Sequence, residues 1–252
     1  MKRILILFLA LIGIFAGYVV AQDLSDIELL TALDDARFFD ETVTQLSIRI
    51  LSETPEETRE AELSLSFFDS EEGSFARIEF ATPEELAGQV FLSTPDATFF
   101  YGPDLDFPIK TSATTEIFGD AAVAQTSGIR FADSYTIEER RSVTTEDGAE
   151  IWEIDLVAVD YSVAFQAVTV TVNPASVRPV SAILYAVSGL PFYEVFYETY
   201  EIREDDVYVT TQRIVNQLLL GRITTSEILE IDTEVLPASF FDPDSLGKNE
   251  ES

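Results

Sequence analysis

The residues of this chain whose types and spacing could do chemistry are almost all carboxylates. Asp104 and Asp106, Asp205 and Asp206, and Asp242 and Asp244 form close pairs. Paired carboxylates can hold calcium, or one can act as acid while the other acts as base. None of these pairs falls in an EF-hand loop pattern. In a chain with 46 Asp and Glu, close pairs arise by chance and read first as solvated turn residues. Arg140-Arg141 could neutralise a headgroup or a partner's acids, or pair with the adjacent Glu138 and Glu139. His and Cys are absent, which removes Ser-His-Asp triads, Cys nucleophiles, zinc fingers, His-bearing metal sites and disulfides. No Gly-rich phosphate loop and no Gly-x-Ser-x-Gly elbow is present. The net charge of −31 argues against nucleic acid and against anionic headgroups. A carboxylate-only hydrolase survives this filter if two acids face one cleft. A protein that works by binding survives it without conditions.

Periodicity identifies the elements that must position these residues. Met1-Lys2-Arg3, an apolar run from Ile4 to Val20, and Ala21 before polar Gln22-Asp23 form a signal-peptide pattern with a cut expected after Ala21. Retention of the run as an anchor is the alternative. Cleavage would remove two bases and no acids, making the chain more negative still. Ser25-Asp26-Ile27-Glu28 is a capping box. It opens a helix expected over 25–37, with Ile27, Leu29, Leu30, Leu33 and Ala36 at helical spacing. The period then becomes two. Leu46, Ile48 and Ile50 alternate with polar residues, and so do Ala61, Leu63, Leu65 and Phe67. Further strands are expected at 75–80, 89–92, 98–101, 142–144, 151–159, 163–172, 180–187, 192–200, 207–215 and 223–231, joined by turn residues such as Asp147-Gly148 and Ser188-Gly189. No linker divides the chain, so 22–246 reads as one domain and 247–252 as a frayed tail. Between Thr111 and Arg130 alternation stops. That segment is a surface loop or a functional lid, with a short helix expected at about 119–125.

Several stretches, in order, are similar to those of a known family. Ala76 to Leu92 (ARIEFATPEELAGQVFL) runs from a strand through Pro83, an acidic turn and Gly88 into the next strand. Phe99-Phe100-Tyr101-Gly102-Pro103 is an aromatic-Tyr-x-Pro segment, and Ser134-Tyr135-Thr136-Ile137-Glu138-Glu139 is a serine-aromatic-threonine-x-acid element. The close runs through Thr224 to Ile228, Leu236-Pro237 and Phe240 to Leu246. Together, over about 40–246, these resemble the outer-membrane lipoprotein-sorting family of the LolA/LolB-like superfamily. The resemblance implies a mainly β fold: a half-open antiparallel β-barrel covered by an N-terminal α-helix and a lid-like loop or short helix. It implies a periplasmic carrier, not an enzyme, that binds the acyl chains of lipids or lipoproteins between an inner-membrane donor and an outer-membrane acceptor. No cofactor, metal or nucleic acid is implied. Members often carry basic residues after the Tyr-x-Pro segment, where this chain has Asp104, Asp106 and a single Lys110.

A carrier needs apolar area that is shielded from water, and the chain supplies 19 Phe and 9 Tyr. Phe67, Phe91, Phe99, Tyr101, Trp152, Phe165, Phe192, Phe196 and Tyr197 are candidates for the cavity wall, with ordinary core packing as the alternative for each. Leu30 and Leu33 from the helix, with Phe118 and Val123 from the 111–130 segment, are candidates for the lid. The same sheet could instead dock a protein partner, as a sensor module would.

Overall fold

Strict alternation of apolar and polar residues makes strands that bury one face, and here nearly all of them join one sheet. The computed structural model describes residues 24–38, 44–71, 73–122, 129–203 and 206–247. The expected leader (1–21), the lid candidate Val123, Asp205 and the tail beyond 247 lie outside the described residues. In chain order the elements are α1 (Asp26–Asp35), β1 (Gln45–Glu53), β2 (Thr58–Ser70), β3 (Gly73–Thr82), β4 (Val90–Ser93), β5 (Thr98–Tyr101) and β6 (Ile109–Thr111). Next come β7 (Glu116–Phe118), β8 (Ala121–Ala122) and α2 (Phe131–Ser134). The second half holds β9 (Tyr135–Thr144), β10 (Glu150–Ala158), β11 (Ala167–Asn173), β12 (Arg178–Tyr185), β13 (Pro191–Arg203), β14 (Asp206–Asn216) and β15 (Ile223–Asp232). Two 3₁₀ turns, Ala238–Phe241 and Pro243–Ser245, follow β15.

The two halves are antiparallel meanders stitched together at β1, where Ile50 lies opposite Ala61 of β2 and Ser226 of β15. The resulting 13-stranded sheet has the order β6-β5-β4-β3-β2-β1-β15-β14-β13-β12-β11-β10-β9. It is open between β6 and β9, which makes it a half-open barrel. The segment between those two edge strands carries the small hairpin β7–β8 and α2. This connection was expected from sequence only as a loop with a helix near 119–125. Residues 119–122 instead make the hairpin turn and β8, because Gly119 takes φ +57, a left-handed conformation open to glycine.

Helix α1 begins as its capping box requires: Ser25 N–H donates to Glu28 Oε2 at 2.9 Å, and Glu28 N–H donates to Ser25 Oγ at 3.4 Å. Leu29, Leu30 and Leu33 form its buried stripe. Two apolar clusters flank the sheet. The larger lies on the inner face and joins β1–β4 and β9–β14 to α1, α2 and the hairpin. The smaller lies on the outer face, where Phe241 and Leu246 of the C-terminal segment pack on Val90 and Leu92. Arg77 straps that segment down, donating to the Phe240 carbonyl at 3.0 Å with its guanidinium 3.9 Å from the Phe240 ring.

Candidate functional site

The inner face is built by strand phase. On β10, Trp152, Ile154 and Leu156 are buried while Ile151, Glu153 and Asp155 are only half-buried. On β13, Tyr193, Val195 and Tyr197 point inward in the same way. On β4 and β5, Phe91 stands opposite Phe100, and their rings lie 4.9 Å apart. Phe165 enters from the β10–β11 loop. Its carbonyl accepts the Tyr135 hydroxyl at 2.8 Å, and its ring meets Tyr193 edge-on at 6.3 Å. The Arg140 guanidinium lies 3.9 Å from the Trp152 ring at the open edge.

Of the candidates named from sequence, Phe67, Phe91, Trp152, Phe165, Phe192 and Tyr197 belong to this inner cluster. Phe99 and Tyr101 do not. They are one residue out of phase with Phe100, so they face outward and pack with Phe240 and Phe241. Phe196 is out of phase with Tyr197 in the same way, and lies 4.3 Å beneath the Arg213 guanidinium, which pairs with Glu198 at 2.5 Å. The lid candidates Leu30, Leu33 and Phe118 all rest in the inner cluster.

Among the described residues, three short pieces cover the aromatic face: α1, the hairpin and α2. Polar pins hold them. The first is Asp34, an acid on the apolar stripe of α1 that is 2% exposed. It accepts from the N–H groups of Phe131 and Ala132 at 2.8 and 2.9 Å, so it ties α1 to the start of α2. Arg37 donates to Asp34 at 3.2 Å and to the Ile129 carbonyl at 3.0 Å, and its guanidinium sits 3.9 Å from the Phe131 ring. Burial pushes the Asp34 carboxyl above its ordinary range, against the opposing pull of Arg37 and the two N–H donors. Burial likewise raises Tyr135 and Tyr197, which stay neutral hydroxyls.

The second pin is Asp120, in the hairpin turn. Its N–H donates to Thr224 Oγ1 at 2.8 Å, and its carboxylate accepts from Asn216 Nδ2 at 2.6 Å. Arg222 stands 3.5 Å from the other carboxylate oxygen, and Tyr193 donates to Glu116 at 3.2 Å. Gly119 makes this seat possible, since a Cβ there would lie 2.5 Å from Ser52 Oγ and 2.6 Å from Thr224 Oγ1. A cleft of about 290 Å³ opens beside the hairpin, lined by Ser52, Arg59, Glu116 and Arg222 among others. Its walls carry both signs of charge and suit a polar group better than an acyl chain.

Sequence reasoning missed both pins. Asp34 had a signal, since it falls four residues after Leu30 on the apolar stripe. The Asp120 set had none, because Thr224 and Asn216 are about a hundred residues away. Of the acid pairs, Asp242 caps the last 3₁₀ turn by accepting from Asp244 N–H at 2.9 Å. Arg141 pairs with Glu153 and Asp155 on the outer face, which holds Asp155 below the ordinary carboxylate range. Among the described residues no group of three or more acids is placed to hold a metal ion.

A family model described as "Uncharacterized protein" matches residues 74–248. No curated protein matches the chain. Among solved structures, a LolA superfamily protein from Nitrosomonas europaea is similar at 21% identity and TM-score 0.79, over 88% of this chain and 100% of that one. A domain described as a candidate outer membrane lipoprotein-sorting protein, from Vibrio parahaemolyticus, is similar at 15% identity and TM-score 0.74, over 90% of this chain and 100% of that one. A DUF1329 family protein from Desulfovibrio piger follows at 14% identity and TM-score 0.72, over 88% and 97%.

Proposed function

Since the chain belongs to the family whose model spans residues 74–248 and has the fold of the LolA superfamily, we propose that it is an exported carrier that encloses acyl chains of lipids or lipoproteins against its aromatic inner face. The observation that carries this reading is the nature of the cover. A folded core is normally closed by a second layer of sheet or long helices. Among the described residues it is closed by one ten-residue helix, one four-residue helix and a two-stranded hairpin, pinned by a few polar contacts.

Such a cover can give way to cargo. In the closed state its leucines and Phe118 occupy the space that an acyl chain would take. Removing a sixteen-carbon chain from water is worth on the order of 12 kcal/mol at about 0.8 kcal/mol per CH₂. That offsets the loss of two polar pins and of the apolar contacts beneath them, which the chain replaces in kind. Cargo is released when the cover returns, so the cover and the cargo compete for one surface. No bond is made or broken, which suits a chain without His or Cys. The signal-peptide pattern at 1–21 supports work outside the cytoplasm, and the sorting role named for the Vibrio domain supports lipoprotein as one cargo class.

The test is binding of a fluorescent fatty acid, combined with solvent extraction and mass spectrometry of the natively purified protein. Saturable binding near one chain per protein, with co-extracted lipid, is the expected result. A protein free of lipid that also fails to bind the probe would overturn the reading.

A further inference from the structure

Six of the exposed apolar residues gather at one end of the sheet, while Ile202, at 73%, stands at the opposite end and Val235, at 85%, lies outside the group. Antiparallel pairing puts the β10–β11, β12–β13 and β14–β15 turns at one end of the sheet, in adjacent strands, because Val157 lies opposite Ala167, Ala167 opposite Tyr185, Tyr185 opposite Pro191, and Tyr193 opposite Asn216. The first of these turns carries Tyr161, which is 97% exposed. The second carries Val187, at 90%, and Leu190. The third carries Leu218, Leu219 and Leu220, the last at 89%. At the other end of the same strands, the β9–β10 turn is Thr145-Glu146-Asp147-Gly148-Ala149 and the β11–β12 turn is Pro174-Ala175-Ser176-Val177.

Charge follows the same division. In a chain with 46 acids, the stretches 186–190 and 217–222 hold none, and Arg222 is their one charged residue. The turns on the same rim in the first half are different, with Glu53, Glu56 and Glu57 between β1 and β2, and Asp104 and Asp106 between β5 and β6. The apolar arc, with Asp160 beside Tyr161 as its one acid and Arg222 as its one base, is thus a nearly neutral gap in an otherwise acidic rim.

We propose that this arc is a membrane-docking surface whose occupant is an electrically neutral, zwitterionic lipid bilayer. Tyr161, Val187 and Leu220, each about nine-tenths exposed and each on a separate turn tip, touch little of one another, so they do not form the flat patch or groove that a protein partner packs against. A fluid phase takes each tip separately, with leucine and valine in the acyl region and tyrosine at the interface. The charge selects the lipid. The arc itself is nearly neutral, and a body of net charge −31 is repelled by an anionic surface, so anionic lipid weakens docking. This surface is distinct from the inner face, and docking can hold whether or not the inner face carries an acyl chain.

The absence of cysteine allows a clean test on the full chain. Ser188→Cys places a single thiol on the arc for an environment-sensitive fluorophore, and Ser176→Cys places one at the opposite end. Phosphatidylcholine vesicles should shift the Ser188→Cys label to an apolar signal and leave the Ser176→Cys label in water, whatever the N-terminal segment does to bring the chain to the vesicle. Leu218→Ser, Leu219→Ser and Leu220→Ser together should weaken the shift about tenfold or more. The fold should stay intact by circular dichroism, because that turn is held by Asn216 Oδ1 accepting from the Leu218 and Leu219 N–H groups. Replacing about a third of the lipid by an anionic one should also weaken the shift. Equal signals at the two positions, a triple variant that binds like wild type, or stronger docking to anionic vesicles would each overturn the proposal. A Ser188→Cys signal that shifts with protein concentration in the absence of vesicles would overturn it in favour of a second copy of the chain.

Discussion

Gly119→Ala should loosen the cover without touching the aromatic inner face. The residue sits at φ +57, where a Cβ costs about 1–2 kcal/mol. The added methyl would also lie 2.5 Å from Ser52 Oγ and 2.6 Å from Thr224 Oγ1. Overpacking of this kind costs about 1–3 kcal/mol. Thr224 has little room to retreat, since its Oγ1 accepts the Asp120 N–H at 2.8 Å. Together the effects amount to about 2–5 kcal/mol against the seated hairpin, so the seated population falls at least about 30-fold relative to the lifted one. Because apparent affinity is intrinsic affinity scaled by the fraction of competent protein, a cover that competes with cargo predicts tighter acyl binding, with that same factor as the ceiling. The assay is a fluorescent fatty-acid titration of both proteins, with hydrogen exchange at 116–122 to confirm that the hairpin has lifted. Unchanged or weaker binding by a protein whose hairpin exchanges faster would refute the competition between cover and cargo.

Other expectations concern the pins and the outer cluster. Asp34→Asn puts an amide where two backbone N–H groups and Arg37 need an acceptor, so it should cost about 1–3 kcal/mol in urea unfolding at neutral pH. The pH profile gives the sign of the Asp34 shift. A carboxyl whose folded pKa is raised contributes stability that is complete below its unfolded pKa and lost as pH rises through the folded value. Wild type should therefore lose ground to Asp34→Asn as pH climbs through the upper carboxylate range, and a profile running the other way would contradict the burial of that group. Phe241→Ala empties the outer cluster, where the ring is 2% exposed and stacks on Phe68 at 5.5 Å, and should cost about 3–5 kcal/mol in urea unfolding while leaving acyl affinity unchanged.

The strands were legible because long runs alternate cleanly, as Leu46, Ile48 and Ile50 do in β1 and Trp152, Ile154 and Leu156 do in β10. The phase of short or wholly aromatic strands was not. In Thr98-Phe99-Phe100-Tyr101 every ring is a candidate for either face, and only the pairing of Phe100 with Phe91 decides. In β13, Phe192, Tyr193, Phe196 and Tyr197 put rings on both faces, so alternation alone could not separate Phe196 from its neighbour. Strands of three, three and two residues, as in β6, β7 and β8, are too short to show a period at all. The cover was half legible. The α1 stripe and its capping box announce a helix that must bury one face, but the hairpin depends on Gly119 fitting between Ser52 and Thr224, a contact between residues remote in sequence.

Trp152 is the sole tryptophan, 3% exposed on the inner face, and so a built-in probe of the space beneath the cover. Titration with a fatty acid brominated along its chain should quench its emission saturably, with the same midpoint as the fluorescent fatty acid, because bromine quenches only at contact. Saturable binding that leaves Trp152 unquenched would place the acyl chain elsewhere and contradict the account.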